Sequence, residues 1–172
     1  MAEINEVLLD AFGRVREATH GVLDGASRAL LTWRVDEDAN SIAWLVWHLT
    51  RIQDDHVADV AGVEQRWLAA GWYDRFGLPF APEAHGYGQS SDEVGQVDVD
   101  GDLLRGYFDA VDAATTGYVE GLRADDLDRI VDERWDPPVT LGVRLVSVVD
   151  DDIAHAGQAA YVRGLAERAG IS

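Results

Sequence analysis

Cysteine is absent from this chain. That excludes disulfides, thiolate nucleophiles and sulfur-ligated zinc, and leaves His, Asp and Glu as the side chains able to hold a metal. Any thiol chemistry must then use a thiol brought from outside. Lysine is absent too: the fourteen basic residues are all Arg, set against 32 acidic ones, for a formal charge of −18. Such a field argues against nucleic acid and against anionic membrane surfaces as partners. No apolar run approaches the ~20 residues of a membrane span. Acidic Glu3 and Glu6 interrupt any N-terminal signal pattern, so a cytoplasmic location is expected.

What is present is a core. Apolar residues make up 47% of the chain and six Trp are spread along it, enough for one folded domain over residues 1–172 and too little for two. Ile4, Val7, Leu8, Ala11, Val15, Ala18 and Val22 recur at helical spacing and predict a first amphipathic helix over 3–24. Leu30, Leu31 and Trp33 form a short apolar connector. Asn40 or Ser41 can cap a second helix that carries Ile42, Leu45, Leu49, Ile52 and Val60 and ends near Gly62. A short helical piece follows around 64–70. Residues 71–99 are rich in Gly and Pro without a sustained period and read as a long loop, whose aromatic residues suit a hydrophobic plug. A third helix runs from Gly101 to about Leu122. Asp125–Arg134 is polar, Asp136-Pro137-Pro138 is a hard break, and Thr140 caps a fourth helix to about Ala169. No segment reads as a strand. The architecture expected is all-α, a four-helix bundle with a long crossover between its second and third helices.

The fourth helix carries an anomaly. Within an apolar stripe it places Asp150, Asp151, Asp152 and His155, although an unpaired buried charge costs several kcal/mol. Residues three or four apart share a helical face, so either Asp151 or Asp152 can face the same way as His155. His48, on the apolar stripe of the second helix, is the candidate third ligand. A lone core histidine is more often hydrogen-bonded than ligating, and an Asp run is more often a solvated face. The coincidence of the two on core-facing stripes tips the balance toward a metal. Two His and one carboxylate leave coordination positions open, as in catalytic sites; Zn²⁺ is the default, with Ni²⁺, Fe²⁺ and Mn²⁺ also suited. The remaining histidines rank lower: His20 as a surface residue, His56 two turns from His48 beside acidic neighbours, His85 in the loop. Gly157 permits close approach, and Gln158 can hydrogen-bond a ligand.

The segment Trp47-His48-Leu49-Thr50-Arg51, with Asp54-Asp55-His56 after it and a distant Asp151-x-x-x-His155-x-Gly157-Gln158, resembles the DinB-like superfamily, which includes the N-terminal domain of mycothiol-dependent maleylpyruvate isomerase. The likeness spans nearly the whole chain. It implies a metal held by His48, Asp151 and His155, so that Asp151 rather than Asp152 is the ligand, with Gln158, Arg51 and Trp47 supporting the ligands or lining the pocket. Many members carry His or Glu where Asp151 stands. It also implies a metal-dependent S-transferase or isomerase that activates a low-molecular-weight thiol of the mycothiol class toward a small electrophile, and a homodimer. The alternatives are a non-catalytic metal-binding stress protein and, less in keeping with a helical bundle, a non-haem iron oxygenase.

Overall fold

The structure is a computed structural model and describes residues 4–172; residue 3, where the first helix was expected to begin, lies outside them. Helix α1 (Ile4–Leu23) buries Leu8, Phe12, Val15, Thr19 and Val22, a stripe at alternating spacings of four and three. A short α2 (Arg28–Thr32) turns the chain, capped by the Ser27 hydroxyl. In α3 (Ile42–Ala61) the Ser41 hydroxyl accepts from the Trp44 N–H at the start, and Gly62, in the left-handed region at φ 68°, stops it. Every residue from Ile42 to Arg51 is buried, so the first half of α3 is covered all round. The crossover holds three short helices, α4 (Arg66–Ala69), α5 (Trp72–Phe76) and α6 (Ser91–Val94). Helix α7 (Gly101–Glu120) and the 28-residue α8 (Leu141–Arg168) complete the bundle.

Side-chain pairs across the seams give the helix directions. His48 meets His155 and His56 meets Arg144, so α3 and α8 run antiparallel. His20 meets Asp109 and Arg16 meets Asp112, so α1 and α7 are antiparallel as well. Gln53 reaches Thr115 while Tyr118 reaches the Val60 carbonyl, so α3 and α7 are parallel. That last relation explains the crossover. A 20-residue helix is about 30 Å long, and the chain must travel that length before it can start a parallel neighbour.

The crossover returns along α3 and α7 as an aromatic layer. Trp67 packs against Trp47, Tyr73, Phe76 and Tyr107, and the Arg51 guanidinium lies 5.0 Å above its ring. The hydrophobic plug expected for 71–99 is therefore present, although α5 and α6 give more order than a long loop implies. Two further departures concern 124–140. Ala124–Asp128 form a 3₁₀ turn, and β1 (Ile130–Asp132) pairs antiparallel with β2 (Val139–Thr140) where no strand was expected. A ribbon this short offers no run of alternation for a sequence pattern to display. Its purpose in the fold is to hold Asp132 where Arg134 and Arg144 both reach it, at 2.8 and 3.1 Å.

Candidate metal site

The α3–α8 seam brings His48, Asp151 and His155 together, with one ligand atom from each lying within 4.8 Å of the others. No other group of three or more potential ligand residues meets this condition among the described residues. Donors of a tetrahedral ion with bonds of ~2.0–2.1 Å stand about 3.3 Å apart. The three side chains thus need only a small inward rotation to share one ion.

The hydrogen bonds at the back of each imidazole decide which nitrogen is free. The Nδ1 atom of His48 faces the backbone carbonyl of His85, which can only accept, so Nδ1 carries the proton and Nε2 holds a lone pair. In His155, Nδ1 lies 3.1 Å from Oε1 of Gln158, the contact the sequence allowed, and Nε2 faces Oδ1 of Asp151 at 3.6 Å. Both rings therefore turn the same nitrogen toward the group.

The electrostatics ask for positive charge between them. Burial works against the Asp151 carboxylate, yet the neighbouring imidazoles, His155 foremost, outweigh it and hold the carboxyl below its ordinary value. The close Asp151 carboxylate, 3.6 Å away, raises His155, whereas burial lowers His48. Without a cation, the His155–Asp151 pair favours a proton; a divalent ion would take its place. Asp151 also has one buried oxygen, Oδ2, that lacks a hydrogen-bond partner, as expected of an oxygen that has a metal to bind. By residue type, donor number and this orphaned oxygen, the group fits a divalent cation.

Asp152 has a different place. It points into the bundle, fully buried, with neither oxygen hydrogen-bonded. Burial first, then the charge of Asp151, pushes its carboxyl well above the ordinary value, so it is held neutral. Asp150 faces solvent.

The residues around the group differ from those expected. Trp44 stacks on His48 with ring centroids 4.7 Å apart and 13° between planes, and it meets His155 edge-on. Its indole N–H donates to Oε1 of Gln89 at 2.7 Å. Trp44 is the aromatic wall of the site. Trp47 is instead fully buried against Trp67 and Phe80, because one helical step rotates it by ~100° from its neighbours. Arg51 also turns away from the group. Its guanidinium donates to the carbonyls of Ala84 and Pro82, to Gln65 and to the Tyr107 hydroxyl, and pairs with Asp54 at 3.9 Å. It anchors the crossover.

His56 follows His48 along the seam. Arg144 can only donate, so Nδ1 of His56, 3.1 Å from it, must accept, and the ring is neutral. Burial and then Arg144 lower its pKa, in keeping with that assignment. The acidic surroundings expected to keep it wet are offset by this contact, and it is half-buried. It lines a cleft of about 480 Å³ whose walls carry both signs of charge, Asp55 and Asp59 against Arg134 and Arg144. His20, expected at the surface, is partly covered by Asp109, 2.6 Å away, and by the edge of Phe108. His85 approaches the site through its carbonyl.

The bundle and the His/Asp/His group define the class: a helical-bundle protein with a candidate divalent-cation centre between two antiparallel helices. Residues 11–159 match the sequence profile of the DinB superfamily, and the chain belongs to that superfamily. Among solved structures, that described as the conserved protein of locus from Enterococcus faecalis superposes with a TM-score of 0.88 at 29% identity, covering 95% of this chain and 96% of its own. No curated protein matches the chain.

Proposed function

We propose that the protein is a divalent-metal-dependent enzyme, a thiol S-transferase that joins a low-molecular-weight thiol of the mycothiol class to a small electrophile. The observation that carries this reading is the convergence of His48, Asp151 and His155 at the α3–α8 seam, with one Asp151 oxygen buried and unpartnered. Zn²⁺ is the first choice of ion for two imidazoles and one carboxylate, a set that leaves room for a substrate. Bound there, the ion would supply the charge that holds a coordinated thiol as its thiolate near neutral pH. The chain has no thiol of its own, which suits a sulfur nucleophile that arrives as substrate.

The protein's residues would do the rest. With the ion bound in place of the proton shared by His155 and Asp151, His48 and His155, each with Nδ1 committed elsewhere, would present neutral imidazoles. Asp151 contributes a single negative charge, so the occupied site keeps a net positive charge suited to a thiolate. Trp44 closes one side of the site. The cleft at His56 and Arg144 lies about two helical turns further along the same seam and offers polar contacts of both signs to the body of a substrate. The sulfur then bonds to the electrophilic carbon as that carbon's bond to its leaving group breaks, chloride in monochlorobimane, and the anion and the thiol's former proton both leave to solvent.

Elemental analysis of untagged protein should find stoichiometric divalent metal, and the His48→Ala variant should have lost it. With saturating metal, wild type should conjugate mycothiol to monochlorobimane above background. Metal retention with no turnover on any small thiol would overturn the transferase and leave the metal protein; failure to bind metal would overturn both.

A further inference from the structure

We propose that Gly86, with the carbonyl of His85, is the positioning device for His48: the absence of a side chain at this crossover residue lets the backbone close on the imidazole and leaves Nε2 facing the cation. The inference rests on the reading of the triad as a metal site. A Cβ added at Gly86 would sit 2.7 Å from Nδ1 of His48, 3.0 Å from Trp44 and 3.2 Å from Trp47. The first distance is far inside van der Waals contact. Neither indole can yield easily, because Trp44 is stacked on His48 and tied to Gln89, and Trp47 is packed in the core. Any larger residue at 86 would therefore push the crossover off the imidazole and break the contact to the His85 carbonyl.

The crossover is clamped on both sides of this point. Arg51 holds the Ala84 carbonyl at 3.1 Å, and Gln89 holds Trp44 at 2.7 Å. The segment between them is thus a fixed wall behind His48. A metal-bound imidazole depends on the hydrogen bond at its other nitrogen for tautomer and orientation, and losing such a partner weakens metal binding by about 10- to 100-fold.

A simpler account is that Gly86 merely satisfies its backbone, since φ is +101°. The chain contains its own control. Gly88 also has a positive φ, +75°, yet a Cβ there would meet nothing within 4 Å. Gly86→Ala and Gly88→Ala both strain the backbone, and only the first collides with His48.

The test compares wild type, Gly86→Ala and Gly88→Ala in the full chain by two measurements: Zn²⁺ affinity by chelator competition, and the His48 tautomer of the metal-free protein by ¹⁵N NMR. Gly86→Ala should bind Zn²⁺ about 10- to 100-fold more weakly than wild type and lose the Nδ1–H tautomer of His48, while Gly88→Ala should match wild type in both. Equal losses in the two variants, or none in Gly86→Ala, would overturn the proposal. Should Gly86→Ala not fold, wild type still decides: a metal-free His48 with its proton on Nε2 is incompatible with the proposal. Failure of wild type to bind Zn²⁺ would defeat the metal reading, and the tautomer comparison would then test the positioning role separately.

Discussion

Two neighbouring residues of α8 show how strongly place controls chemistry. Asp151 and Asp152 are the same amino acid one helical step apart. One is held ionised beside two imidazoles, and the other is neutral in the bundle interior with no partner. A folded-state pKa raised above the unfolded value means that the native protein binds the extra proton, so stability falls as pH climbs from the unfolded value toward the folded one. For one such group the slope is about 1.4 kcal/mol per pH unit. Asp152→Asn removes the titration, so the variant should gain stability relative to wild type by that slope as pH rises above about 4. Urea unfolding of both proteins at a series of pH values checks this, and parallel curves would show that Asp152 is not buried neutral. Helical spacing alone left the two carboxylates equivalent as partners of His155. The family pattern singled out Asp151, and tertiary packing then gave Asp152 its interior position. Trp44 and Gly86 escaped the sequence reading for another reason. One looks like any core aromatic and the other like any loop glycine, and a close approach to a backbone carbonyl leaves no mark on residue type.

At the scale of elements, the long helices were legible because each carries a stripe at 3.6-residue period and a capping or stopping residue. Ser41, Gly62 and Thr140 all act where the pattern placed them. The crossover was less legible because its order comes from elements that are not adjacent in sequence. Asp54 on α3 accepts from the N–H groups of Arg66 and Trp67 and from the Tyr107 hydroxyl, which joins α3, α4 and α7 through one carboxylate. It is also the partner of Arg51, whose side chain is wholly buried. Asp54→Ala would leave that cation and three donors unpaired, and loss of one partner of a buried ion pair costs about 3–5 kcal/mol. Denaturant unfolding should show a loss of that size, with the His48–His85 contact weakened as well because Arg51 anchors the crossover at Ala84. A loss below about 1 kcal/mol, the range of exposed ion pairs, would contradict the clamp.

For the whole molecule, the governing quantity is the charge of −18. Self-repulsion destabilises a compact acidic chain, and salt screens it over a Debye length of about 10 Å at 0.1 M. Thermal stability of the metal-free protein should therefore rise between 20 and 200 mM NaCl, and a fall would mean that specific ion pairs outweigh the net field. A cation held at the seam acts in the same direction through mass action, adding about 2.7 kcal/mol at a hundredfold excess over its Kd. Comparing melting with and without Zn²⁺ in wild type and His48→Ala separates this from screening, since only wild type should respond at low micromolar metal.

The amino-acid order by itself determined the helices, the polar residues set into their core faces and the ban on internal thiol chemistry, because period, caps and composition are local properties. Which helix runs beside which, which of two adjacent carboxylates turns inward, and which loop backbone stands behind an imidazole were decided only by the folded chain. Those relations join residues tens of positions apart, and their energy comes from packing and desolvation that no short stretch of sequence contains.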